Sequence, residues 1–126
     1  MKLFFVGDVV GQSGRRVLLH NLPTLCDRLK LDFIVVNAEN AAAGFGITEK
    51  IAQEFFAHGI HVLSTGNHVW DKKEALEFIA KEPRLLRPHN FPPQPPGSGW
   101  VVGETAAGIR VGVLNVMGQA FMHPTL

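Results

Sequence analysis

Apolar residues along the chain come in two rhythms, short unbroken runs and longer stretches spaced by three and four. Leu3-Phe4-Phe5-Val6 and Phe33-Ile34-Val35-Val36 have strand length, and runs without polar alternation predict strands buried inside a sheet; Ile60-His61-Val62-Leu63, with one histidine in it, predicts a third strand. After the first, Val17, Leu18, Leu22, Leu25 and Leu29 recur at helical spacing. They predict a helix capped by Ser13 or Gly14 that turns this stripe to the sheet. Pro23 predicts a kink or a new turn within it. Thr48 predicts the N-cap of a second helix through about Ala57, with Ile51, Phe55 and Phe56 as its buried face. A third, from about Asp71 to Lys81, presents Leu76, Phe78 and Ile79. Strand–helix units repeated in this way predict an α/β fold, a parallel or mixed sheet with right-handed crossovers and flanking helices.

Beyond Pro83 the pattern changes. Leu85-Leu86-Arg87 reads as a short strand, and the Pro- and Gly-rich stretch from Phe91 to Gly99 excludes a helix or a central strand. Trp100-Val101-Val102 and Ile109 to Val116 read as an antiparallel pair turning near Ala107-Gly108. The expectation is one domain over residues 1–126, incomplete at its C-terminus: the chain stops just after the polar stretch Asn115 to Gln119, with sheet edges still to be covered.

Composition narrows the class. With 46% apolar and 18% charged residues the chain is globular rather than disordered. A net charge of +1 without a run of Lys or Arg argues against binding long nucleic acid by counterion release, while a small phosphorylated ligand stays compatible. No apolar stretch predicts a membrane span or a signal peptide, so no membrane partner and a cytoplasmic location are expected. Cys26, in the helical pattern, reads as a small buried residue in a reducing compartment. Homo-oligomerisation is left open.

Candidate chemistry sits where the predicted strands end. Asp8 follows the first, Asn37-Ala38-Glu39-Asn40 the second, and Asn67-His68 the third. In an open α/β sheet, ligands bind at the carboxyl ends of the strands. Glu39 reads as a metal ligand that two ions can share, since a carboxylate has two oxygens, while the asparagines add neutral carbonyl oxygens. For this stretch alone the turn reading competes, in which Asn37 and Asn40 shape a turn and Glu39 favours a helix N-terminus. Three strand ends that all turn polar favour a site over three coincident turns. Oxygen and nitrogen donors without thiolate suit manganese, iron or zinc, and a pair of such ions would stabilise both oxygens of an in-line phosphoryl displacement. The glycines 7, 11 and 14 match neither a dinucleotide fingerprint nor a P-loop.

Gly7-Asp8-Val9-Val10-Gly11, Asn37-Ala38-Glu39-Asn40 with the following Ala-Ala-Ala-Gly-Phe-Gly, and Gly66-Asn67-His68-Val69-Trp70-Asp71 resemble the N-terminal motifs of the YmdB-type calcineurin-like metallophosphoesterases. Arg87-Pro88 and Asn90-Phe91-Pro92 extend the resemblance. It implies that Asp8 and Asn40 bind one metal, Glu39 bridges both, Asn67 binds the second and His68 protonates the leaving oxygen. It further implies two divalent ions, iron or manganese before zinc, and a phosphodiesterase for which 2′,3′-cyclic nucleotides are the associated substrates. The nucleophile would be hydroxide held between the ions. The implied fold is the first half of a four-layer α/β/β/α sandwich.

The sequence also departs from the family, whose metal shell is completed by C-terminal histidines, two of them in a Gly-x-His-x-His loop absent here. His20, His58, His61, His89 and His123 read as surface or packing residues, since none shares a strand end with another ligand. The 126 residues alone are therefore expected to bind metal weakly and turn over poorly. The competing reading is a non-catalytic nucleotide- or metal-binding module of the same fold. Arg15 and Arg16 read as a solvated face rather than a phosphate contact, Gly44-Phe45-Gly46 as a loop turning close past the site, and Trp70 as packing that fixes the His68 loop.

Overall fold

The structure, a computed structural model, describes residues 1–71, 73–91, 95–118 and 120. His123, Gln119, Lys72 and part of the Pro-rich stretch lie outside these. Four parallel strands, β1 (Leu3–Val6), β2 (Phe33–Asn37), β3 (Val62–Ser64) and β4 (Leu85–Leu86), form one sheet in sequence order. Helices α1 (Gly11–Leu29), α2 (Glu49–Ala57) and α3 (Lys73–Ile79) connect them. Every connection steps to the next strand in the same direction. Crossovers of one hand then bring all three helices to one face, and one core cluster joins Leu18 and Leu22, Ala52 and Phe55, and Phe78 and Ile79 to Ile34, Val36, Leu63 and Leu85.

The opposite face is covered by an antiparallel pair, β5 (Trp100–Glu104) and β6 (Arg110–Leu114). Phe33, Val35, Val62 and Leu86 pack there with Val111, and Val101 and Val113 lie against them. The approach is close: a Cβ on Gly103 would stand 2.7 Å from the Phe33 ring. Strand β2, covered on both faces, is buried over Phe33–Val36, whereas Leu3 and Phe5 on the edge strand β1 stay 48% and 57% exposed. A short apolar run reads the same in either position. The turn between β5 and β6 is closed by Thr105, whose Oγ1 accepts from Ile109 N–H at 3.0 Å, and by Gly108 at φ 81°.

Several local expectations are corrected. Helix α1 starts at Gly11 rather than after a Ser13 or Gly14 cap; Val10 takes the N-cap position without a side-chain bond, and Gly11 N–H reaches across to Asn40 O instead. Pro23 does not interrupt the helix. It lies on the exposed side of the helix. The buried stripe is Leu18 and Leu22; Val17 is 65% exposed and Leu29 37% exposed. The third helix is preceded by a 3₁₀ turn, Asn67–Asp71, and begins only at Lys73. Thr48 caps α2 as expected, its Oγ1 accepting from Ile51 N–H at 3.3 Å. Cys26 is half-buried against the core. Among the described residues no helix is long and apolar enough to cross a membrane.

Candidate functional site

The loops after β1, β2 and β3 are sewn together by backbone bonds before any side chain is considered. Val9 N–H donates to Asn37 O at 3.1 Å and Ala38 N–H donates to Ser64 O at 2.9 Å. Asp8 sits at φ 47°, a left-handed conformation that Asp tolerates better than most residues. Its Oδ1 accepts from Asn40 Nδ2 at 2.8 Å. The first and second strand ends are thus joined by a carboxylate–amide contact.

The second and third are joined at Glu39. Its Oε1 accepts from the backbone N–H of His68 at 3.1 Å, and its carboxylate lies directly over Gly66, where a Cβ would collide with Oε1, Cδ and Oε2. Only glycine leaves that space free. Asn67, between Gly66 and His68, opens the 3₁₀ turn. Asp8, Glu39, Asn40, Asn67 and His68 therefore come to one edge of the sheet. Asn37 shapes the turn as well, its Oδ1 accepting from Glu39 N–H at 3.3 Å, so the turn reading holds for this residue alongside the site.

The loop after Asn40 runs close to the protein because its residues are small. Ala38 and Ala41 are fully buried, and Ala43, Gly44 and Gly46 have φ of 54°, 90° and 69°. Phe45 projects from it, 59% exposed, with its ring edge-on to His68 at 5.6 Å. His68 Nδ1 lies 2.8 Å from Asp71 Oδ2. Trp70 packs against Phe91 at 5.6 Å, and its Nε1 is buried without a hydrogen-bond partner among the described residues. Arg15 lines an open groove with Asp71 and Lys73, and also shares a second groove with Arg16 and His20.

The other described histidines stand apart from this edge. His58 bonds to Glu54 O in its own helix, and His89 is exposed. His61 stacks on Phe33 at 4.5 Å, and its Nδ1 accepts from Ile34 N–H at 3.1 Å. Burial holds its pKa below the ordinary value of 6.5. Among the described residues no three His, Cys, Asp or Glu side chains gather as a metal cluster. What the contacts join is Asp8 with Asn40, and Glu39 with the backbone of His68.

Sequence reasoning passes over three residues here. Asp71 reads as a helix start and the end of a motif, without a role toward His68, although an acid three positions after a histidine falls on the same side of a 3₁₀ turn. Gly66 reads as part of a motif, without its role beneath Glu39. Asn115 Nδ2 donates to Thr65 O at 2.8 Å and Leu86 O at 3.2 Å, tying the end of β6 to the ends of β3 and β4. An asparagine directly after a strand is its one sequence signal.

Residues 4–126 match the family described as YmdB-like protein. A 2′,3′-cyclic-nucleotide 2′-phosphodiesterase from Bacillus subtilis (strain 168) is 42% identical over 124 residues, covering 98% of this chain and 47% of that protein. Among solved structures, a hypothetical protein from Thermus thermophilus matches with a TM-score of 0.89 at 36% identity, over 99% of this chain and 48% of that one. A protein described as a novel phosphatase from Mycoplasma pneumoniae matches with a TM-score of 0.83 at 30% identity, over 92% and 43%. The chain thus spans about half the length of these relatives. With the parallel sheet, its covering helices and the three joined strand ends in agreement with a match over nearly every residue, this chain belongs to the YmdB-like family.

Proposed function

We propose that this chain carries part of the active site of a dinuclear metal-dependent phosphodiesterase for small phosphodiesters, 2′,3′-cyclic nucleotides among them. The observation that supports it is the pair of contacts between distant strand ends, Asp8 with Asn40 and Glu39 with His68. The donor set fits hard or borderline divalent ions, since carboxylate and amide oxygens suit manganese and iron and no thiolate is present to favour a structural zinc site. The absence of a side chain at Gly66 leaves the Glu39 carboxylate the space it occupies between the second and third strand ends. Asp8 and Asn40 would hold one ion, Glu39 would be shared, and Asn67 would hold the second. Such ions supply charge neutralisation at the phosphoryl oxygens and generate a nucleophile from water at neutral pH.

The chain's own groups do the rest. Asn40 Nδ2 holds the Asp8 carboxylate in place, and the bond from His68 N–H to Glu39 fixes the acid relative to the metal ligands. His68 gives a proton to the leaving oxygen, a contribution of about 10²–10⁴ in rate for a positioned general acid. Two carboxylates and two amides are a partial shell, so the 126 residues on their own bind metal weakly and turn over slowly. The test is Glu39→Gln in the complete protein, assayed with manganese or iron on a chromogenic phosphodiester. Hydrolysis is expected to disappear while the circular dichroism spectrum is retained. Unchanged turnover would overturn the proposal.

A further inference from the structure

We infer that Asp71 is a positioning residue for His68: it holds the imidazole by Nδ1–H and leaves Nε2 as the ring nitrogen that serves the site. The inference rests on the reading of His68 as the general acid and adds to it the group that orients the ring. Asp71 Oδ2 lies 2.8 Å from Nδ1, a short distance for a nitrogen–oxygen hydrogen bond. Both residues belong to a single 3₁₀ turn, Asn67–Asp71, in which positions three apart eclipse one another.

Two further observations make this more than a surface contact. Arg15 and Lys73 line the same groove as Asp71, yet among the described residues the only ion-pair partner of Asp71 is His68. Glu39, the other carboxylate near His68, is engaged by the backbone N–H rather than by the ring. Phe45 also packs on the ring, edge-on at 5.6 Å. The imidazole is therefore held at Nδ1 and against an aromatic ring, and the nitrogen left to meet a leaving oxygen is Nε2.

Both side chains are partly open to solvent, at 37% and 41%. A pair so placed contributes little to folding, so its principal consequence is which nitrogen bears the hydrogen and where the ring points. The competing explanation is that Asp71 serves only the N-terminus of α3, where an acidic residue is favoured by the helix dipole. That role would change stability and leave the His68 tautomer alone.

The two roles separate in long-range ¹H–¹⁵N spectra of this chain, recorded at fixed alkaline pH where imidazoles are neutral. His68 is expected mainly as the Nδ1–H tautomer, against the Nε2–H form that free histidine prefers. Asp71→Ala is expected to return it to Nε2–H, and Asp71→Asn, which keeps an acceptor oxygen, to retain Nδ1–H. An Nε2–H majority in the wild type, or a tautomer unchanged in Asp71→Ala, overturns the inference; should the alanine variant fail to fold, the wild-type spectrum still decides.

In the complete protein, Asp71→Ala is expected to lower kcat at least about tenfold on a diester with an alkoxide leaving group. With a 4-nitrophenolate leaving group, which needs no acid, the loss should stay below about threefold, with KM unchanged in both cases. If His68→Ala shows that leaving-group dependence and Asp71→Ala does not, positioning by Asp71 is wrong and the general acid stands. If His68→Ala loses both activities equally, the general-acid reading itself fails, whatever the tautomer.

Discussion

Polar contacts that join one strand end to another and those on the outer helices differ in how far along the chain they reach. At the strand ends, Asp8 meets Asn40 across 32 positions and Glu39 meets His68 across 29. On the helices, Lys30 pairs with Asp27 three positions away and Gln53 with Glu49 four away. The second kind can form in an isolated helix and is worth a few tenths of a kcal/mol. The first kind exists only once β1, β2 and β3 have paired in register. The candidate site is thus a product of the assembled sheet, and its side chains meet because backbone bonds such as Val9 N–H to Asn37 O have already brought the loops together.

The strongest way to break this comparison is to disturb a distant contact without disturbing the fold. Gly66→Ala puts a methyl group where the Glu39 carboxylate lies. Because the obstructed atoms are the far end of a flexible side chain, the carboxylate swings away. Manganese affinity of the complete protein, read by calorimetric titration, is expected to fall at least about tenfold with little change in the unfolding midpoint. Equal affinity would mean that the position of Glu39 over Gly66 is irrelevant to metal binding.

Where a distant contact is structural, the expected loss is of stability rather than of metal affinity. Asn115→Ala removes the amide that bonds Thr65 O and Leu86 O, and is expected to cost about 1–3 kcal/mol in denaturant unfolding. The smallest belongs to the local class. Asp27→Ala, which removes the exposed partner of Lys30, is expected to shift stability by less than about 0.5 kcal/mol. A loss for Asp27→Ala as large as that for Asn115→Ala would erase the distinction.

The same division explains what is legible in the sequence. Strands β1, β2 and β4 and the Thr48 cap of α2 follow from runs and spacings a few residues long. So does the gathering of polar residues after each strand, since the end of a buried strand is marked by its first polar position. What depends on distant partners is less legible. Leu3-Phe4-Phe5-Val6 and Phe33-Ile34-Val35-Val36 are equally apolar, and only the order of pairing makes one an edge and the other the centre. Val17 belongs to a plausible helical stripe, but the face of α1 that meets the sheet is that of Leu18 and Leu22, and Val17 is left outside. The seating of Glu39 over Gly66 has no local signature, because a glycine before Asn-His reads equally well as a turn.

The packing of Trp70 has a practical corollary. The chain has two tryptophans and no tyrosine, so its ultraviolet fluorescence comes from two indoles in unlike surroundings. Trp100 is 56% exposed on the hairpin, whereas Trp70 is half-buried against Phe91, two positions beyond His68. Emission at shorter wavelength therefore originates beside the strand-end loops, and the molecule carries its own optical probe of the place where chemistry is proposed.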